Sequence, residues 1–303
     1  MVLKTSLRNT VIKPKRKGLR PFLMFITPTL LVIAFILIYP VFYVLLLSFT
    51  NRQLLFLGNV KFVGFQNYLT MFRDADFWHS LWLQLGFIVV ALPVELIIGF
   101  FVALLFNREF PFSKLLRSLL MLPVFVIPVL SGLTWRLMLQ PDYGVLAAFF
   151  QSLSIGPEAW LADKTFAYIA VILQDIWRMW PFMFMMIYAG LSSLPAEYIE
   201  AALIDGANFF QRVFYIIIPF LKPVLAIAFL LRLIDALRIF SEIYVMTYGG
   251  PSNATMLLSL YIHKQAFEFG NISYASAIGT FLMIISLAIS YFIVKKGLRG
   301  ETA

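Results

Sequence analysis

Long apolar runs separated by short polar segments dominate this chain. A bilayer core of about 30 Å needs about 20 consecutive apolar residues in a helix. Six segments meet this requirement, at residues 22–49, 84–106, 115–139, 165–190, 219–244 and 275–294. Plain hydropathy would begin the fifth near Val213, but Pro219 and Pro223 suit a helix entrance better than a helix interior. The pattern predicts an all-α polytopic membrane protein with six transmembrane helices.

The composition agrees with a membrane protein and argues against several other classes. Hydrophobic residues make up 61% of the chain and charged residues only 13%, whereas soluble domains carry about 25% charged residues. The chain has no cysteine, which excludes disulfides and cysteine-bound metal clusters. Its two histidines, His79 and His263, lie far apart in separate loops, so we predict no metal site.

The positive charges favour one orientation across the membrane. Cytoplasmic loops of membrane proteins carry an excess of Lys and Arg. With both termini in the cytoplasm, only five such residues fall in the outer loops, namely Arg52, Lys61, Arg73, Lys164 and Lys264. The larger share of the Lys and Arg residues then lies on the cytoplasmic side. We interpret the basic cluster at 13–17 as part of this topology signal. The alternative is that the cluster binds anionic lipid or nucleic acid. We expect contact with membrane lipid and none with nucleic acid.

A single membrane domain accounts for the whole chain. We expect residues 1–21 to form a basic cytoplasmic tail, followed by a retained first helix at 22–49 and an outer loop at 50–83. A core at 84–294 then contains the other five helices. Residues 295–303 form a second cytoplasmic tail.

Within the core, the loop at 191–219 has the pattern of a short surface helix. Pro195 suits the first turn of a helix, where its missing N–H costs nothing. Glu197 lies near the positive end of the helix dipole, and Gly206 suits the left-handed position that ends a helix. The second half of the loop is amphipathic and is expected to lie at the membrane surface.

The same loop offers a docking surface. The small side chains of Ala201 and Ala202 would let a partner approach closely. Glu200 offers a carboxylate to an Arg or Lys across the interface. The alternative is an ordinary solvated loop between two helices.

The whole spaced pattern resembles the EAA loop of ABC-importer permeases, through Glu200, Ala201, Ala202, Gly206, Ile216 and Pro219. From about residue 62 to 294, the chain is similar to the carbohydrate branch of that family. The further segments that carry the resemblance are Phe62 to Tyr68, Trp135, Pro141 to Gly144, Tyr198 to Ala207, Thr247 to Pro251 and Tyr274 to Ala277. The last two are similar to the maltose-type permease subunit with the principal sugar site.

The resemblance implies a type I ABC-importer permease architecture in which the loop docks onto a separate ATPase. The coupling residues that it implies are Glu197, Glu200, Ala201, Ala202, Asp205 and Gly206. The implied partners are a second permease, forming a heterodimer, two ATPase subunits that use ATP and Mg, and an extracytoplasmic sugar-binding protein. The implied location is the cytoplasmic (inner) membrane of a bacterium or archaeon.

Charged residues within the predicted helices are functional candidates, because charge is costly in a membrane. Asp175 and Arg178 share a face of the fourth helix, and Phe182 follows one heptad after Asp175. In the fifth helix, a stripe at helical spacing contains Arg232, Asp235, Arg238 and Glu242. The two faces could line one polar cavity, with an aromatic wall from Trp177, Trp180 and Phe182. Carboxylates and guanidinium groups there would hydrogen-bond sugar hydroxyls.

Two interpretations of these charges stay open. The resemblance places Asp175, Phe182, Asp235 and Arg238 at or beside the sugar site, so the substrate-binding candidates are Asp175, Arg178, Phe182, Asp235 and Arg238. Alternatively, Asp175–Arg178 and Asp235–Arg238 neutralise each other as intrahelical pairs. The maltose-type site is neutral and rich in Asn. The charges here would suit an acidic sugar, because guanidinium binds carboxylate or phosphate through two parallel hydrogen bonds.

Three further residues inside the predicted helices carry expectations about packing. Glu95 has no obvious partner and is expected to face either a helix interface or the pore. Gly190 and Gly279 are expected to permit close approach of neighbouring helices.

The function that these patterns predict is a translocation subunit of an ATP-driven sugar importer. The chain contains no G-x-x-x-x-G-K-[ST] phosphate loop, so we expect it to be no enzyme and to hold no cofactor of its own. The runner-up is an ion-coupled secondary transporter, which would favour paired repeats and interrupted helices. A membrane enzyme would need a nucleophile–base pair or metal cluster, which the sequence does not suggest.

Overall fold

Helices make up nearly all regular structure in the part of the chain that the computed structural model describes, residues 19–54, 58–107 and 110–297. The basic cluster at 13–17 lies outside these residues, as does most of each predicted tail. The extended contact found among the described residues is an isolated antiparallel bridge between Thr50 and Phe62. The predicted all-α fold class is confirmed.

The chain divides into two compact units, Met1–Leu46 and Leu47–Ala303. The first unit contains the helix Leu19–Ile33, a π-helical turn at Ala34–Ile38 and most of the helix Tyr39–Leu47. Its apolar span, Ile26–Leu47, is 22 residues long. This length is sufficient to cross a bilayer.

The larger unit contains the other apolar spans. We name the second span Ala75–Phe106, the fourth span Lys164–Ser192, the fifth span Phe209–Ala236 and the sixth span Ile272–Lys295. The third span is the bent pair Ser113–Phe125 and Pro128–Met138, whose two parts meet at 92°. By length and composition the described residues thus contain five candidate spans, or six when the bent pair counts as one.

Shorter helices connect these spans. They are Gln66–Arg73, Val145–Ser152, Trp160–Ala162 (a 3₁₀ turn), Ala196–Ile204, Ser241–Met246, Leu258–His263 and Lys264–Glu268 (a π-helical turn). The third span consists of the helices Ser113–Leu120, Leu122–Phe125 and Pro128–Met138. Ile127 is extended (φ −57°, ψ 131°), because Pro128 disfavours helical backbone in the residue before it. This explains why the third span bends there.

The fifth span begins and ends earlier than the sequence predicted. Its helix starts at Phe209, where Asn208 and Gln211 form a reciprocal capping box, so the predicted start at Pro219 is wrong. A π-helical turn at Val213–Ile217 ends two residues before Pro219. Such a wide turn alters the hydrogen-bond ladder locally, so that proline, which lacks an N–H, fits there.

The second and fourth spans pack closely and run parallel. Tyr168 donates a hydrogen bond to the Leu83 carbonyl at 2.6 Å. Further along both helices, a Cβ built on Gly99 would lie 2.7 Å from the Met183 Cβ. Therefore the starts of these two spans lie at one end of the bundle, and the loop that follows Ser192 lies at the other.

The two glycines singled out by the sequence behave differently. A Cβ on Gly190 would lie 2.7 Å from a methyl group of Leu221 on the fifth span, so its predicted packing role is confirmed. A Cβ on Gly279 would meet nothing within 4 Å among the described residues. The packing prediction for Gly279 is therefore wrong within this chain.

Candidate functional site

The loop between the fourth and fifth spans forms a short surface helix, Ala196–Ile204, which we call the coupling helix. Pro195 precedes its first turn, and Glu197 lies within that turn. Gly206 has φ +79° and its N–H donates to Leu203, while the N–H of Ala207 donates to Ala202. This is the left-handed C-terminal stop that the sequence predicted.

One face of the coupling helix presents both acidic and apolar groups to solvent. Glu197, Glu200 and Asp205 are exposed, as are Ala201 and Gly206. Between these groups lie three large exposed apolar side chains, Tyr198, Leu203 and Ile204, the last being 87% exposed. A surface helix gains nothing from exposing such side chains unless another surface covers them.

Ala202 differs from the other implied coupling residues because it is buried, with 7% of its surface exposed. It therefore faces the bundle, whereas Ala201 faces outward. The amphipathic segment that follows has the same arrangement, since Val213 and Ile217 are buried while Phe214 and Tyr215 are exposed. The buried side chains of Ala202, Val213 and Ile217 therefore anchor the loop to the bundle.

The interior of the bundle holds an ion network centred on Arg232, whose side chain is 0% exposed. Its Nε donates to Glu95 Oε2 at 2.8 Å and its Nη2 to Glu95 Oε1 at 3.0 Å. This is a two-bond pairing of the kind that guanidinium geometry favours. Arg232 also pairs with Asp175, and its Nη1 lies 3.2 Å from Asp235 Oδ2.

Arg178 extends the network to the short helix Ser241–Met246. Its Nη2 lies 2.8 Å from Glu242 Oε1 and 3.9 Å from Asp175 Oδ1. The six members, which we call the ion network, are Glu95, Asp175, Arg178, Arg232, Asp235 and Glu242. Four carboxylates and two guanidinium groups leave a formal excess of negative charge when all are ionised. The network ties together the second, fourth and fifth spans.

The substrate-binding candidates from the sequence fall into two groups. Asp175, Arg178 and Asp235 belong to the ion network, where Asp175 is fully buried, Arg178 is nearly so, and Asp235 keeps 54% of its side chain exposed. Arg238 and Phe182 lie outside it. Arg238 is exposed and Phe182 half-buried, and Arg238 forms no ion pair with the described residues.

The predicted stripe along the fifth helix is wrong beyond Asp235. The fifth span ends at Ala236, and the Arg238 N–H closes a tight turn onto the Asp235 carbonyl at 3.0 Å. Arg238 thus leaves the helical face, and Glu242 lies on a separate helix. The predicted Asp235–Arg238 pair is not formed. Asp235 instead pairs with Arg232, which lies one turn earlier in the helix.

Sequence reasoning left Glu95 without a partner, and the structure gives it one. Glu95 is fully buried and binds Arg232 from the facing span. The sequence alone indicated that Glu95 has a partner, because a carboxylate inside an apolar span is expected to pair with a cation on another helix. The sequence does not say which cation, because the pairing depends on the relative rotation of two helices.

The apolar spans and the buried ion network define a class of protein, an α-helical polytopic membrane protein whose exposed surface helix joins two of its spans. Residues 95–300 match the family described as binding-protein-dependent transport system inner membrane component. The chain belongs to this family, and the resemblance found in the sequence is confirmed. Such proteins are permease subunits of ABC importers, in which a separate subunit hydrolyses ATP.

Two relatives and one structure are similar along most of the chain. The trehalose/maltose transport system permease protein MalF of Thermococcus litoralis is 36% identical, over 93% of this chain and 96% of its own length. The sulfoquinovosyl glycerol transport system permease protein SmoG of Agrobacterium fabrum is 32% identical, over 88% and 87%. A bacterial alginate ABC transporter, solved with its alginate-bound periplasmic protein, shares the fold with a TM-score of 0.79 at 21% identity, over 92% and 95%.

No group of three or more His, Cys, Asp or Glu side chains suited to a metal ion occurs among the described residues. The ion network instead pairs its carboxylates with guanidinium groups. Its chemistry within this chain is therefore ion pairing and hydrogen bonding.

Proposed function

We propose that this chain moves a sugar, either an oligosaccharide or a sugar derivative, across the cytoplasmic membrane of a bacterium or archaeon. The observation that carries the proposal is the position of the coupling helix, which joins the two spans that supply most of the ion network. A displacement of that helix would therefore move the fourth and fifth spans, and with them the ion network. The implied partners are a second permease, two ATPase subunits that use ATP and Mg, and an extracytoplasmic sugar-binding protein.

Support for a sugar comes from the relatives, whose names include trehalose, maltose and sulfoquinovosyl glycerol. Whether the sugar carries an acidic group depends on which arginine is available to it. Arg178 and Arg232 are occupied by carboxylates of this chain, while Arg238 is exposed and outside the network. An acidic sugar would therefore bind through Arg238.

We infer different roles for the five substrate-binding candidates. Arg238, the half-exposed carboxylate of Asp235 and the half-buried ring of Phe182 would contact the sugar. Asp175 and Arg178 would hold that surface in place from behind, because their charged groups already bind protein partners.

For the coupling residues, the exposed set Glu197, Glu200, Ala201, Asp205 and Gly206 would contact the ATPase subunit, with Ala202 anchoring the helix from below. Transport requires an inward-open and an outward-open state. Nucleotide shifts their balance only if the ATPase holds the coupling helix differently in the two states. With both termini in the cytoplasm, the coupling helix lies on the ATPase side.

The test is uptake of radiolabelled sugar into proteoliposomes that hold ATP inside and sugar-binding protein outside. Glu200→Lys reverses a charge at the centre of the exposed face and should abolish uptake while the chain still inserts and assembles with its partner permease. The matched control is Glu158→Lys, which changes another exposed acid at the other end of the bundle. Equal uptake by the two variants would overturn the proposed coupling role.

The runner-up, an ion-coupled secondary transporter, gives the opposite dependence on energy source. Uptake should stop when ATP is omitted from the lumen and continue when ionophores collapse the ion gradients. Uptake that follows the gradients and ignores ATP would establish the secondary transporter instead.

A further inference from the structure

A cavity of about 110 Å³, lined by both polar and apolar side chains, lies at the end of the bundle opposite the coupling helix, well apart from the ion network. Its walls come from the first turns of the second span, from the loop around Asn253 and from the turn at Lys264–Glu268. One water needs roughly 10–15 Å³ of such space. The cavity is therefore large enough for a small ligand of several non-hydrogen atoms.

One buried polar group in this cavity has no partner. Ser80 is 1% exposed, and its hydroxyl oxygen makes no hydrogen bond within the described residues. Buried hydroxyls in folded proteins are nearly always hydrogen-bonded, because leaving one unpaired destabilises the fold. Ser80 lines the cavity, so a ligand hydroxyl there would supply the missing partner once the serine side chain turns toward it.

The side of the cavity near Tyr261 is pre-organised by hydrogen bonds that do not involve a ligand. Asn271 donates to Gln265 at 3.1 Å, Gln265 donates to Tyr261 at 3.0 Å, and Tyr261 donates to Asp74 at 2.5 Å. On the opposite wall, His79 Nε2 lies 3.1 Å from the Asn253 carbonyl. These bonds hold the lining groups in fixed positions before anything binds, which lowers the entropic cost of binding.

The remaining lining groups indicate the kind of ligand. Asp76 carries a negative charge and Lys264 a positive charge, so a ligand with a single charge would meet a like charge as well as an opposite one. Amide and hydroxyl groups supply both donors and acceptors. The exposed ring of Phe269 adds an apolar surface. We infer that this cavity is a subsite for one neutral sugar ring.

This inference rests on the proposed function, in which this end of the bundle faces the sugar-binding protein. The subsite would then hold the end of a sugar at the entrance, before it reaches the interior. It is separate from the candidates Asp235 and Arg238, which lie on the fifth span and the turn that follows it.

The experiment measures D-glucose binding to the complete transporter complex in nanodiscs, by saturation-transfer NMR, without ATP or sugar-binding protein. Saturable binding should be about fivefold weaker in Ser80→Ala, the effect of one lost hydrogen bond. The melting temperature of Ser80→Ala should stay the same or rise, because an unpaired buried hydroxyl has been removed. A serine with a purely structural role would instead lower it.

A second variant, Asp76→Asn, changes an exposed group and should also weaken glucose binding, whereas the matched control Asp142→Asn should not. No saturable glucose binding by the wild-type complex, or equal binding by all variants, would overturn the subsite. Loss of ATPase stimulation by the sugar-binding protein in the cavity variants, without any glucose binding, would instead identify a protein-docking socket. Uptake is measured separately, so a transporter that moves sugar but lacks this binding contradicts only the subsite.

Discussion

Among the described residues, Arg232 forms ion pairs with more carboxylates than any other cation. Its guanidinium binds Glu95, Asp175 and Asp235, two of which are fully buried. Removing one partner of a buried ion pair typically costs about 3–5 kcal/mol, because the remaining charge is left without compensation. The loss should be larger for the cation, which neutralises several carboxylates, than for any one carboxylate.

We therefore predict that Arg232→Met lowers the melting temperature of the purified chain in detergent more than Glu95→Gln does, with both below wild type. Arg73→Met, at an exposed position, serves as the control and should have little effect. If Arg232→Met melted like Arg73→Met, the network would not be a source of stability.

Arg238 gives a prediction of the opposite kind. It is exposed and outside the ion network, so Arg238→Ala should leave the melting temperature within a small margin of wild type. If Arg238 contacts substrate, the same variant should raise the KM for uptake, or lower the rate, without loss of the ATPase from the complex. Unchanged uptake kinetics would remove Arg238 from the substrate-binding candidates.

At the residue scale, the sequence predicted which residues were unusual but only some of their contacts. The Asp175–Arg178 neighbourhood followed from helical spacing. The pairing of Glu95 with Arg232 did not, because it depends on how the second and fifth spans are rotated against each other. The predicted position of Arg238 was wrong for a local reason, since the helix ends two residues before it.

At the scale of elements, the contact between the second and fourth spans depends on small residues. A Cβ on Gly99 would lie 2.7 Å from the backbone nitrogen of Phe184 as well as from Met183, and backbone atoms cannot move aside easily. Gly99→Ala should thus destabilise the protein by about 1–3 kcal/mol, the usual cost of overpacking. Gly279→Ala has open space within this chain, and should instead be neutral or gain roughly 0.5–1 kcal/mol from helix propensity.

Thermal unfolding of both variants in the same detergent checks this prediction. Both changes add one methyl group within a helix, so they differ only in surroundings. Equal melting temperatures would mean that the two spans are packed less closely than the structure indicates.

The start of the second span gives a pH-dependent prediction. Asp74 caps this helix by accepting from the Asp76 N–H, and it also accepts from Tyr261 and Tyr274 at 2.5 Å each. Burial by itself raises the pKa of Asp74, but the tyrosine and backbone hydrogen bonds outweigh it and hold the pKa below its ordinary value. Its stabilising contribution is present above the unfolded pKa of about 3.9 and is lost as the pH falls through the lower folded value.

Asp74→Asn should therefore melt below wild type at neutral pH, and the difference should shrink as the pH falls from about 4 through the lower folded pKa, below which wild-type Asp74 is also protonated. The matched control is Asp142→Asn, an exposed acid that should show no such pH dependence. A difference that stayed constant from neutral pH into acid would show that the carboxylate charge is not what stabilises this end.

Element boundaries were predicted less well than element existence. All six apolar segments correspond to spans, counting the bent pair as one. The second span begins at Ala75 rather than near 84, because polar residues fit the exposed first turns of a capped helix. The bend in the third span and the π-helical turn before Pro219 were not predicted, since both depend on local hydrogen bonding around proline that hydropathy does not record.

For the whole molecule, we propose that ATP hydrolysis in the partner subunit acts on this permease through the coupling helix. The acidic and apolar face of that helix is exposed in this chain, and the two spans that it connects hold most of the ion network. A partner that binds this exposed face can move both spans together. The family resemblance suggested this arrangement from the sequence, whereas the inward orientation of Ala202 required the fold.

The most direct measurement is ATP hydrolysis by the reconstituted transporter, with and without sugar-loaded binding protein, for wild type, Glu200→Lys and Glu158→Lys. We predict that the binding protein stimulates hydrolysis in wild type and Glu158→Lys, and that stimulation is lost in Glu200→Lys although the chain is still present in the membrane. Undiminished stimulation in Glu200→Lys would contradict the claim that the coupling helix links this permease to its ATPase.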